Sequence, residues 1–138
     1  MGMKEYAIND YGFILDKEVI ELIASKAFDD FSNDDNTLPD WVDLGYELYE
    51  KGICEYVSEF TGELQELTDT GEWNGNSKYC NCETIFYVPL SKYPALFKAA
   101  YKSMKEAVNE LRSKLSNYLP ATFDYRSRVC YIGGTYYG

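Results

Sequence analysis

The stretch ETIFYVPLSKYPALFKAAYKSMKEAVNELRSKLSNYLPATFDYRSRVCYI, from Glu83 to Ile132, decides the fold. It opens on Glu83-Thr84-Ile85-Phe86-Tyr87-Val88, a run rich in β-branched and aromatic residues that stops at Pro89 and predicts a strand buried on at least one face. Pro94 then stands near the start of a helix. Its apolar residues Phe97, Ala100, Tyr101, Met104, Ala107, Val108, Leu111, Leu115 and Tyr118 recur at three- and four-residue steps until Pro120 stops it. From Phe123 to Ile132 the pattern alternates again, as one strand or a hairpin, and Gly133-Gly134 is expected to break it before Thr135-Tyr136-Tyr137. Strand, long helix, strand is the signature of a helix packed on a small, mainly antiparallel sheet, an α+β domain.

Upstream, residues 3 to 15 mix apolar and turn residues and read as a short strand or a tight hairpin. Asp16 is a plausible N-cap for a helix carrying Val19, Ile20, Ile23, Ala24, Ala27, Phe28 and Phe31, which runs into the polar loop Ser32 to Asn36. Pro39 opens a third pattern, with Trp41, Leu44, Gly45, Leu48, Tyr49, Gly52, Ile53, Tyr56, Val57 and Phe60 on one helical face. This favours one helix from about 40 to 60, with Gly45 and Gly52 admitting a neighbouring backbone on its apolar stripe. A competing reading ends the helix at Gly52 and starts a strand at Ile53, because glycine costs about 1 kcal/mol inside a helix. Glu63 to Thr68 fits strand or helix end, and Asp69-Thr70-Gly71 and Asn74-Gly75-Asn76 are turn material. The expected total is about three helices on the sheet, in a single domain spanning 1–138, since 138 residues sit near the commonest domain size.

The chain has no histidine, which removes histidine-type catalytic triads, histidine metal sites and the commonest general base. No GxxxxGK[ST] or GxGxxG string is present to cradle phosphate. Asp34-Asp35-Asn36 lacks the frame of a calcium loop and reads as a solvated acidic loop. The opening residues carry no basic region followed by an apolar one, and no apolar run approaches a membrane span, so the expected compartment is the cytoplasm of a bacterial host cell. There, Cys54, Cys80, Cys82 and Cys130 are expected as reduced, partly buried thiols. A zinc site drawing on Cys80 and Cys82, in a small metal-assisted enzyme, is the minor alternative, because the pair lacks the usual spacer. No cofactor, no metal and no catalytic residue is expected.

Charge is the feature that points to function. Between Asp29 and Glu72 stand fourteen carboxylates and one base, Lys51, whereas residues 73–138 carry nine bases and four acids. The net charge of −10 is therefore concentrated. Asp40, Asp43, Glu47 and Glu50 step by three and four residues, which places a carboxylate roughly every 4.5 to 6 Å along one helix side, comparable in scale and sign to a row of phosphates. Solvation of a small protein would explain such a face as well. Direct nucleic-acid binding is disfavoured, since affinity for phosphate comes from Lys and Arg.

Acids interleaved with Tyr46, Tyr49, Tyr56 and Trp73 suit a partner with a basic groove: charge steers the encounter and the aromatics supply buried contact. A small, acidic, tyrosine-rich, histidine-free chain of this layout resembles the nucleic-acid-mimicking inhibitors of phages and mobile elements, anti-CRISPR and anti-restriction proteins among them. The likeness rests on Asp29 to Glu72 and on composition. It implies a stoichiometric inhibitor, not an enzyme, that blocks the channel of a basic nucleic-acid-binding protein such as a CRISPR nuclease through Asp34, Asp35, Asp40, Asp43, Tyr46, Glu47, Tyr49 and Glu50. The chain is also similar to bacterial immunity proteins, which implies an antitoxin against a basic toxin as the alternative.

Overall fold

A computed structural model describes residues 4–28, 40–68, 72–90 and 104–137. In chain order these form β1 (Glu5–Ile14), α1 (Lys17–Ala27), α2 (Trp41–Glu50), β2 (Glu55–Leu67), β3 (Trp73–Pro89), α3 (Met104–Leu115), a 3-10 turn (Arg126–Arg128) and β4 (Val129–Tyr137). The α+β class expected from the sequence is the one observed, with three helices and a four-stranded antiparallel sheet among the described residues. The sheet closes on itself in the order β1-β3-β2-β4. Its β1–β3 seam is short, pairing Gly12–Ile14 with Pro89–Tyr87. No helix among the described residues is long and apolar enough to cross a membrane.

Strand periodicity divides the apolar residues between two cores. Val57, Phe60, Leu64, Cys80, Ile85, Tyr87, Cys130 and Ile132 form a cluster drawn from the inward strand positions on either side of a register slip, with Ile8 and Ile14 against it, and fill the inside of the barrel. Their neighbours Phe13, Phe86, Val88 and Val129 point the other way, into a larger cluster with Val19, Ile20 and Ile23 of α1, Leu44 and Leu48 of α2, and Met104, Val108, Leu111 and Leu115 of α3. The stripe expected on the long helix is core from Met104 to Leu115, and Tyr118, past the end of the helix, is half-buried against it; Phe97, Ala100 and Tyr101 lie outside the described residues, as does Phe31.

Asp16 caps α1 as expected, its Oδ1 accepting the Val19 N–H at 3.0 Å. Its other oxygen accepts the Arg128 Nε–H at 3.0 Å, and the same guanidinium lies 5.3 Å from the centre of the Phe123 ring. One capping side chain thus ties the start of β4 to the start of α1.

Two sequence expectations are corrected. The helix expected from 40 to 60 stops at Glu50, and residues 55–67 are strand. Gly52, at φ +80°, is the stop: its N–H donates to the Tyr49 carbonyl at 2.9 Å and the Ile53 N–H to that of Leu48 at 3.0 Å, the paired bonds of a Schellman motif. Gly45 does sit on the apolar stripe, but what comes close is the Phe86 ring rather than a backbone. The second correction concerns Gly133-Gly134, which does not break β4. Gly134 pairs with Gly62 of β2, and a Cβ built on Gly62 would lie 2.7 Å from the Gly134 Cα. The glycines let two strands approach too closely for side chains. β1 is a strand, the first of the two readings offered, whereas β4 begins at Val129 and not at Phe123, after the Arg126–Arg128 turn.

Leu111→Ala, at a side chain with no exposed surface, is expected to lower unfolding free energy by about 2 to 5 kcal/mol. Gly134→Ala should cost about 1 to 3 kcal/mol by overpacking the β2–β4 crossing. Denaturant titration measures both, and an unchanged midpoint for Gly134→Ala would show that the strands can part there.

Candidate interaction surface

The carboxylate row on α2 begins at its cap. Asp40 precedes the helix, and its Oδ1 accepts the Val42 N–H at 3.2 Å. Asp43, Glu47 and Glu50 follow, and all four side chains are exposed. At 1.5 Å rise per residue the row is about 15 Å long. None of the four takes part in an ion pair among the described residues. Asp34 and Asp35 lie outside the described residues.

The tyrosines separate. Tyr46 is half-buried, its ring edge-on to Tyr56 at 5.0 Å and to Phe86 at 5.3 Å, so it holds α2 on the sheet. Tyr49, one turn on, is 41% exposed and leans on Tyr56 at 4.8 Å, which leaves it presentable beside Glu50. Tyr56 is half-buried within this aromatic group. Trp73 is exposed, and its indole N–H donates to the Asn76 carbonyl at 3.1 Å.

Acidic surface continues onto β2, where Glu55, Glu59 and Glu63 are exposed. Glu63 stands opposite Tyr79, which is 64% exposed on β3. Sequence reading missed Tyr79, because nothing periodic marks residues 73–82 as strand. Among the described residues, three bases of the second half are used elsewhere: Lys114 pairs with Glu110 at 2.9 Å, Arg112 covers the Tyr125 ring and Arg128 holds Asp16. No ion pair among the described residues engages the acids of α2.

The four thiols occupy separate surroundings. Cys54 is buried in the larger core, its Sγ–H aimed at the Gly45 carbonyl at 3.8 Å; Cys80 and Cys130 are buried inside the barrel; Cys82 is exposed on β3. No three Cys, Asp, Glu or His side chains converge as a metal site among the described residues. Burial pushes Cys54 and Cys130 up to about 12, with Glu55 and Glu66 adding to it, and Cys80 to about 11, chiefly by burial and then Glu83. These three are poor nucleophiles near neutrality, because the thiolate is the reactive form. Iodoacetamide at pH 8 should therefore add one group, at Cys82, to the folded protein and four to the unfolded one. Mass spectrometry counts the adducts, and rapid modification of Cys54 or Cys130 in the native state would contradict the burial described.

No family model matches the chain, and no curated protein or solved structure shows significant similarity to it.

Proposed function

We propose that this chain is a stoichiometric, non-enzymatic inhibitor that occupies the basic nucleic-acid channel of a defence nuclease, with α2 standing in for a phosphate strand. The observation that carries the reading is the row Asp40, Asp43, Glu47 and Glu50, exposed along one helix and engaged by no base of the chain among the described residues. Four unneutralised charges along about 15 Å match the reach of several consecutive phosphates, and such a row attracts the Lys and Arg side chains that bind nucleic acid. Tyr49 beside the row supplies the apolar contact that charge alone lacks, because aromatic anchors carry much of the energy of an interface. An inhibitor of this kind works in the cytoplasm, where such nucleases meet their substrates.

The test is the quadruple variant Asp40→Asn, Asp43→Asn, Glu47→Gln, Glu50→Gln, assayed against a panel of CRISPR and restriction nucleases. Asn at position 40 preserves the cap, so the helix should persist. At equimolar ratio the unmodified chain should displace DNA from a susceptible nuclease. The variant should bind that nuclease about 10- to 1,000-fold more slowly. The difference should shrink between 0.1 and 1 M salt as the Debye length falls from about 10 Å to about 3 Å. Equal inhibition by variant and parent at low salt, or no inhibition anywhere in the panel, would overturn the phosphate-mimic reading.

A further inference from the structure

At one mouth of the barrel an open cleft of about 500 Å³ lies between the strands, lined by Ile8 and Asp10 of β1, Glu55 and Val57 of β2, Tyr87 of β3 and Tyr136 of β4. No residue of α2 lines it, but it adjoins the face proposed above, because Tyr56, which touches Tyr49, and Glu55 of the acidic β2 surface are among its lining residues. Ile8, Val57 and the Tyr87 ring, in or against the inner core, supply the small apolar part of a lining that is otherwise polar. Tyr136 stacks on Tyr6 with ring centres 5.5 Å apart, which holds its phenol at the rim. Asp10 and Glu55 bring two carboxylates, and no Lys or Arg is among the lining residues.

Tyr87 is the decisive group. It is 7% exposed, yet its hydroxyl has no hydrogen-bond partner among the described residues. No fully enclosed side-chain oxygen or nitrogen there lacks a partner, so the Tyr87 hydroxyl must reach the open space of the cleft. The Tyr87 ring is thus buried while its hydroxyl faces the cleft, where a ligand N–H can take the place of water. Asp10 lies half-buried beside it: Oδ1 accepts the Tyr11 N–H at 2.9 Å, and no cation pairs with the carboxylate among the described residues.

We propose that this cleft binds a primary ammonium group carried on an aliphatic stem. The carboxylates of Asp10 and Glu55 supply the counter-charge, the Tyr87 hydroxyl accepts an N–H, and the floor of Ile8, Val57 and the Tyr87 ring takes the methylenes. A hard divalent ion fits less well, because it wants six or more oxygens and no three acidic or thiol side chains converge here among the described residues. Protonation states agree with a site short of positive charge. Burial raises the Asp10 carboxyl above its ordinary 3.8, opposed only in part by the Tyr11 N–H; burial raises Tyr87 to about 12, reinforced by Asp10, Glu55 and Tyr136.

The ammonium could arrive as a free diamine or as a lysine side chain of another protein. The experiment is an NMR titration of the whole chain with 1,4-diaminobutane and with Nα-acetyl-lysine amide, against 1,4-butanediol and tetramethylammonium at equal ionic strength. Saturable shifts at Ile8, Asp10, Val57 and Tyr87 with either amine, absent with the two controls, are expected; the diamine arm reports a free ligand and the lysine arm a protein-borne one. Tyr87→Phe and Asp10→Asn should each weaken binding about tenfold or more, as expected when a hydrogen bond to a charged group is lost, and Glu47→Gln should not. Fold is checked separately. Because the folded-state Asp10 pKa is raised, its carboxyl lowers stability as pH rises through that value, so Asp10→Asn should melt higher at neutral pH and lose that advantage below pH 3.8. Shifts that match the controls, or binding unchanged in both cleft variants, would overturn the proposal.

Discussion

Both cores exist because β2 and β3 change parity at the same place on their ladder. On β2 the inward residues are Val57 and then Phe60 and Leu64; on β3 they are Cys80 and then Ile85 and Tyr87. An unbroken alternation would turn one half of each strand inside out. The switch falls where the register slips between Val57 and Gly62, and there Glu59 and Cys82 both adopt left-handed backbone at φ +53°. Such conformations cost about 1 to 3 kcal/mol each in residues that are not glycine. Part of the cost is offset locally, since the Cys82 N–H donates to the Thr61 hydroxyl at 3.1 Å. With the switch in place, the first half of β2 and the last half of β3 serve the barrel interior and the helices at once, and α2 can lie across Phe86 with Gly45 against its ring.

This also explains which parts of the fold were legible in the sequence. The Glu83 to Val88 strand, the apolar stripe from Met104 to Leu115 and the Asp16 cap each follow from a local rule, and each is present. The helix expected across Gly52 failed because Leu44, Leu48, Tyr56 and Phe60 satisfy a helical period by coincidence: the first two are core of a helix and the last two are strand, on opposite faces of the sheet. Gly52 as a helix stop and Gly134 as a close-approach residue look alike in a sequence, since the difference lies in what faces them. Glu59 and Cys82 gave no signal, because neither residue type favours positive φ.

The acidic row was legible in position, but its meaning is refined by the fold. Asp40 is a helix cap and Asp43 sits in the first turn, where the helix dipole favours a negative charge, so both have a structural account. Glu47 and Glu50 have none. Glu50 stands at the C-terminal end, where the dipole opposes it, and the adjacent Lys51 lies over the Phe28 ring at 5.1 Å. On the inhibitor reading proposed above, the weight of the row would therefore fall on Glu47 and Glu50, with Tyr49 between them.

The cleft presents the reverse case, nearly silent in the sequence and more pointed in the structure. Asp10 beside Asn9 reads as turn material, and Tyr87 reads as one more aromatic in a strand. Solvent keeps the repulsion among the exposed α2 carboxylates small, so a surface can carry them at little expense and their presence constrains function only loosely. Asp10 and Tyr87 have no such cover. One is half-buried, with its carboxyl pKa raised by that burial, and the other is a buried ring whose hydroxyl opens on the cleft. Partial burial of polar groups costs more than surface charge and is harder to explain by solubility. By that physical measure the barrel mouth is the more specific of the two candidate sites, although the helix face is the more conspicuous.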